Sequence, residues 1–80
     1  MAVTTEHQRQ IVEVLSEIFS FKGLEAPLLG ADTELDQIGL ESLDFAQAVI
    51  RMQEITGKDP FESGADYQIK TLADLAVLYD

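Results

Sequence analysis

The sequence has no cysteine, two prolines, one histidine and only five basic residues against fifteen acidic ones in 80 positions. Each shortage excludes something. A chain without cysteine cannot be a disulfide-stapled secreted scaffold, and it suits a reducing, cytoplasmic compartment. A formal charge of -10 repels nucleic acid and anionic membrane surfaces. No run approaches the roughly 20 apolar residues of a membrane span, and the start has neither the basic nor the apolar segment that directs export. Catalysis is poorly provided for as well. Serine is a weak nucleophile without an adjacent base, the single histidine is His7, and no Gly-x-Ser-x-Gly elbow occurs. The many carboxylates follow from the acidic composition, and a domain this small has little room for a substrate pocket of about 300 Å3 or more. The chain is therefore not read as an enzyme.

What is present is a globular composition. With 46% hydrophobic and 25% charged residues, the chain suits one small domain over residues 1–80. Its core must be modest, because a domain of this size buries only about 60% of the surface its unfolded chain exposes. The acid excess serves solubility, or it speeds encounter with proteins that present basic patches; the partners it points to are proteins, and a monomer is expected.

Thr5-Glu6-His7-Gln8 has the spacing of a capping box and marks a helix start. Ile11, Val14, Leu15, Ile18 and Phe19 then recur at i, i+3, i+4, i+7 and i+8, one apolar stripe of a helix, with Glu6, Arg9, Gln10, Glu13 and Glu17 on solvated faces. His7 is expected to be exposed and not a ligand. From about residue 20 to residue 41 no periodicity is visible, and Gly23, Pro27, Gly30 and Gly39 interrupt the run. This is a long loop. Its Phe21, Leu24, Leu28, Leu29, Leu35, Ile38 and Leu40 are too apolar for a free linker, so it is expected to lie against the helices. Asp32, Glu34, Asp36 and Glu41 do not form a calcium loop: a motif starting at Asp32 requires glycine sixth and glutamate twelfth, and the chain has Gln37 and Leu43 there. No metal site is assigned.

A second helix is expected from Ser42 to about Thr56, closed by Gly57. Asp44, Gln47, Arg51 and Glu54 make a polar stripe, and nearly everything else on this helix is apolar. Phe45, Ala46, Val49 and Met52 are expected to turn inward, with Leu43 and Ile50 near the polar edge. That apolar arc is wider than one core contact requires, which leaves residues for a groove or for partner docking unless the loop covers them. Pro60 prevents the helix from continuing. A short turn around Ala65-Asp66-Tyr67 is weakly indicated, and Thr71-Leu72-Ala73-Asp74 caps a last helix whose stripe is Leu72, Leu75, Ala76 and Tyr79.

The organising stretch is Ile38-Gly39-Leu40-Glu41-Ser42-Leu43-Asp44-Phe45, where loop meets helix. Gly39 permits a sharp turn, and the helix start offers unpaired N–H groups and the positive end of the dipole, which favour a phosphate. Taken alone, Ser42 reads as a helix cap. Taken together, Gly39-Leu40-Glu41-Ser42-Leu43-Asp44 resembles the Gly-(apolar)-Asp-Ser-Leu-(Asp) signature of the acyl carrier proteins, with Glu41 where the family usually has aspartate. The order of helices and loop is similar to that family's from end to end.

The resemblance implies an all-α, acyl-carrier-like four-helix bundle with three longer helices, one short helix near residues 65–67 and a long loop between helices one and two. It implies 4'-phosphopantetheine attached to Ser42 by a phosphopantetheinyl transferase. Acyl or aminoacyl groups would ride on that arm as thioesters, charged by acyl-activating or acyl-transferring enzymes of a fatty-acid, polyketide or related specialised pathway. Partner recognition would fall to Glu41, Leu43, Asp44, Gln47, Ile50, Arg51 and Glu54, and shelter for the acyl chain to Phe45, Ala46 and Val49. Gln47, Arg51 and Gln53 stand where an acidic-faced relative places carboxylates, so a specialised carrier is expected in preference to a housekeeping fatty-acid one. Leu40-Glu41-Ser42-Leu43 also differs from the Gly-Gly-(His/Asp)-Ser run typical of peptide-synthetase carriers. An initiating Met1 and an end just after the last helix are expected of a free-standing protein. The alternative is a small helical interaction module without a prosthetic group, which accounts for the acidity but not for residues 39–44.

Overall fold

The computed structural model describes residues 5–61 and 68–80. Helix α1 (Glu6–Phe21) begins where Thr5 Oγ1 accepts a hydrogen bond from the Gln8 amide at 3.1 Å. It ends in a Schellman turn, in which Gly23 N–H donates to the Ser20 carbonyl and Leu24 N–H to the Phe19 carbonyl. The whole expected stripe, Ile11, Val14, Leu15, Ile18 and Phe19, is buried. His7 is half-buried rather than exposed, with Nδ1 at 2.7 Å from Asp80 Oδ1.

Helix α2 spans Ser42–Thr56 and closes on Gly57 at a φ of 75°, a left-handed position where any Cβ is strained. Helix α3 covers only Leu72–Val77, so the last of the three longer helices expected is a six-residue one. An isolated helix of that length does not persist in water. Its first turn is completed from outside: Leu72 N–H donates to the Thr33 carbonyl at 3.0 Å and Ala73 N–H to the Ala31 carbonyl at 2.9 Å. Thr71 and Asp74 add a reciprocal capping box, Asp74 N–H to Thr71 Oγ1 and Thr71 N–H to Asp74 Oδ2. The fourth helical element among the described residues is a 3-10 turn, Leu35–Gln37, inside the long loop. The short helix expected near residues 65–67 lies outside the described residues.

α1 packs against both α2 and α3. Ile11, Leu15, Met52, Leu72 and Tyr79 have no exposed surface and form the centre of the core. Burial pushes the Tyr79 hydroxyl up to about 12, with the Asp59 charge acting in the same direction.

The loop behaves as two halves, not as the single packed segment expected. Its second half is stitched to the start of α3 by an isolated antiparallel bridge, Glu34 to Thr71, with Leu35 N–H donating to the Lys70 carbonyl. Leu29 and Leu35 are buried there, and Ile38 and Leu40 pack against the core. The residues before Leu29 do not follow: Phe21 is 90%, Leu24 50% and Leu28 96% exposed. Apolar character supplied the drive to bury them, but Phe21 proves to be the last residue of α1, beside an open groove, and Leu24 and Leu28 lie outside the core cluster.

Leu15→Ala is expected to cost roughly 2–5 kcal/mol, because the site is enclosed on all sides. Leu28→Ala should stay within about 0.5 kcal/mol. Urea denaturation of the two variants checks the contrast between an enclosed and an unpartnered leucine.

Candidate functional site

The site is built where the stitched half of the loop delivers the chain to α2. Ile38 and Leu40 anchor on the core on either side of Gly39, whose φ of 84° turns the backbone between them. A Cβ at Gly39 would meet nothing within 4 Å, so the glycine is there for backbone geometry and not for space. Glu41 is the N-cap of α2 in extended conformation, and Ser42 is the first helical residue. The capping function expected of Ser42 thus belongs to its neighbour, and Ser42 is exposed with no hydrogen bond to its hydroxyl among the described residues.

Asp44 departs most from the sequence reading. It does not share the open polar stripe with Gln47, Arg51 and Glu54, because the side buried against the core runs through Asp44, Ala48 and Met52, at i, i+4 and i+8. A carboxylate is tolerated at the head of that buried row because it is neutralised: Lys22 Nζ lies 2.7 Å from Asp44 Oδ2, and the Glu41 N–H donates to the same oxygen at 2.9 Å. The Lys22 hydrogen bond and then the Glu41 amide hold the Asp44 carboxyl below its ordinary 3.8, and Asp44 in turn raises the Lys22 ammonium above its ordinary 10.5. Sequence reasoning did not find Lys22. The available signal was a charged residue in register with an apolar i, i+4, i+8 row, which asks for a counter-charge.

Rotating the helix accordingly corrects the inward set. Met52 is buried, Phe45 and Val49 are half-buried, Ala46 is exposed, and Ala48 takes the inward place given to it. Phe45, Ala46, Val49 and Ser42 form one wall of an apolar groove of about 580 Å3, closed by Leu35, Phe61, Ile69 and Leu75. The fold therefore holds more open space than its size suggested. Ser42 stands at this groove, and so does the acid Asp36.

The residues expected to meet partners are not gathered on one surface. Glu41 and Leu43 are exposed at the head of the helix, Leu43 by 70%. Gln47 and Arg51 face a second groove of about 460 Å3 between α2 and α1, lined also by Val14, Glu17, Ile18 and Phe21. Arg51 reaches Glu54 at 3.3 Å and Glu17 of α1 at 3.6 Å. Ile50 borders both grooves and is 57% exposed. No group of three or more His, Asp or Glu able to hold a metal ion occurs among the described residues. No helix among them is long and apolar enough to cross a membrane.

Three small helices, a long half-stitched loop and an exposed serine opening α2 beside an apolar groove define an acyl carrier fold. A similar solved structure is the solution structure of MacpD, an acyl carrier protein from Pseudomonas fluorescens involved in mupirocin biosynthesis, at 30% identity with a TM-score of 0.79. The match covers 90% of this chain and 66% of that one, so this chain spans 66% of the length of MacpD. No protein-family model matches the sequence, and no curated protein matches it. The chain belongs to the acyl carrier protein family.

The Asp44 pair carries a sign with pH. A carboxyl whose value is depressed in the fold stabilises the native state above its unfolded value, and that stabilisation is lost as pH falls through the native one. Asp44→Asn should therefore be less stable than the wild type at neutral pH. Its urea midpoint should also decline less steeply between about pH 5 and pH 2, with Asp74, likewise depressed by the Thr71 and Lys70 amides, still titrating in both proteins.

Proposed function

We propose that the chain carries acyl or aminoacyl groups as thioesters on 4'-phosphopantetheine attached to Ser42. The observation that carries this reading is the exposed hydroxyl of Ser42 at the first turn of α2, beside an apolar groove of about 580 Å3. When attached, the arm supplies a thiol that forms and exchanges thioesters. The protein's own residues do the remaining work. The helix start offers unpaired amides and the positive end of the dipole to a phosphate held at Ser42. Phe45, Ala46 and Val49 supply an apolar wall beside it. Activation of the Ser42 hydroxyl falls to the loading enzyme, a phosphopantetheinyl transferase.

Glu41 and Leu43 offer partner enzymes one exposed edge at the head of α2, and Gln47, Ile50, Arg51 and Glu54 a separate one further along it. These edges hold few free acids: Asp44 is buried under Lys22, and Glu54 is paired with Arg51. A housekeeping fatty-acid carrier relies on an acidic α2, so these edges favour a specialised pathway of polyketide or related type, in keeping with the likeness to MacpD. The excess charge of -10 still favours approach by enzymes with basic patches. A cytoplasmic, monomeric carrier is the form that fits this exchange of partners.

Co-expression with a phosphopantetheinyl transferase and intact-mass spectrometry test the reading. The wild type should gain one phosphopantetheinyl group, and Ser42→Ala should gain none; a wild type left bare by an active transferase would reduce the chain to an interaction module. Once the protein is loaded with a medium-length acyl group, Ala46→Trp, at an exposed position on α2, should fill the groove beside Ser42. Each methylene displaced into water is worth about 0.8 kcal/mol, so thioester hydrolysis should quicken roughly fourfold per methylene.

A further inference from the structure

We infer that Lys22 is a positioning residue for the modification of Ser42, acting through Asp44; the inference rests on the carrier reading above. Ser42 is exposed, Glu41 and Leu43 on either side of it are exposed, and its hydroxyl has no hydrogen bond among the described residues. Packing therefore does not fix this turn directly. Leu40 and Phe45 seat its two flanks and the Phe45 N–H donates to the Glu41 carbonyl, and one oxygen atom ties the turn itself to α1. Asp44 Oδ2 accepts from Lys22 Nζ at 2.7 Å and from the Glu41 N–H at 2.9 Å, so the turn that contains Ser42 is bracketed between its cap and its third residue.

The other end of the tie is equally well held. Lys22 directly follows α1, and its N–H donates to the Ile18 carbonyl at 3.0 Å. Its side chain thus leaves from backbone that α1 and the Schellman turn have already set. The bond joins residues 22 apart in sequence and closes the untethered half of the loop onto α2. The Lys22 and Asp44 side chains are only 30% and 12% exposed, so the bond is shielded from water as a surface pair is not. Among the described residues Lys22 is the cation paired with Asp44, and Arg9, Arg51, Lys58 and Lys70 are engaged elsewhere.

Lys22→Met keeps the length and apolar stem of the side chain and removes the charge. With the bracket open, Ser42 occupies the competent geometry for a smaller fraction of the time, and apparent affinity falls by that fraction. Transfer of phosphopantetheine from coenzyme A should show a KM for the carrier raised roughly three- to tenfold, with kcat unchanged. Lys22→Arg should recover most of the loss. Lys70→Met breaks an exposed pair with Glu34 and should leave KM as in the wild type. Amide exchange in Lys22→Met should rise at residues 41–45 and not in α1 or α3.

A KM within twofold of the wild type, or exchange rising evenly through all three helices, overturns the inference. So does a loss of the same size in Lys70→Met. Failure of the carrier reading is distinguishable, because the wild type itself then gains no mass.

Discussion

One face of α1 is the surface on which everything else is assembled. Ile11 and Leu15 have no contact with solvent, and Met52 of α2, Leu72 of α3 and Tyr79 beyond it are equally enclosed. In a chain with no cysteine, this single layer of side chains is the means by which three helices are held together. α3 shows how complete the dependence is. Six residues cannot stand as a helix alone, and this one exists because its apolar side reaches α1 while its first amides are taken by loop carbonyls. Core, loop and last helix are one cooperative unit.

The site inherits its order from that unit by two routes. One is apolar: Leu35, Ile38 and Leu40 seat the end of the loop, and Gly39 turns the chain so that α2 starts at the groove. The other is ionic, from the end of α1 across to Asp44. Together they allow a serine to be both exposed and well placed, a combination that a capping serine does not offer, since a cap hydroxyl is already committed to a backbone amide. Moving the capping role to Glu41 leaves the hydroxyl uncommitted.

How much of this was legible in the sequence depended on whether a local pattern decided the matter. The stripe of α1, the bounds Ser42 and Gly57 of α2, and the box at Thr71 are local and appear where the sequence places them. The orientation of α2 is not local. A helix apolar nearly all round has no self-evident inner face, and the charge on Asp44 argued for solvent until Lys22 supplied its counter-ion from 22 residues away. Phe21, Leu24 and Leu28 misled for a related reason: hydrophobicity measures a tendency to bury, and the tendency goes unmet where the fold leaves a side chain outside the core. The attachment role of Ser42 was suggested by the motif, and the groove beside it could be seen only once α2, the loop and α3 were brought together.

The uneven loop has an evolutionary consequence. Between Gly23 and Leu29 the chain makes few commitments, whereas from Leu29 onward Ala31, Thr33, Glu34 and Leu35 are tied to the start of α3 and Leu29, Leu35, Ile38 and Leu40 to the core. Lengthening a span of the first kind costs only about 0.6 kcal/mol per doubling, and insertions concentrate in such spans. Descendants of this chain are free to grow or trim that first segment, and to vary its bare Leu24 and Leu28, while the serine stays in register with its groove. Novelty in this lineage should therefore collect on one side of Leu29 and be scarce on the other.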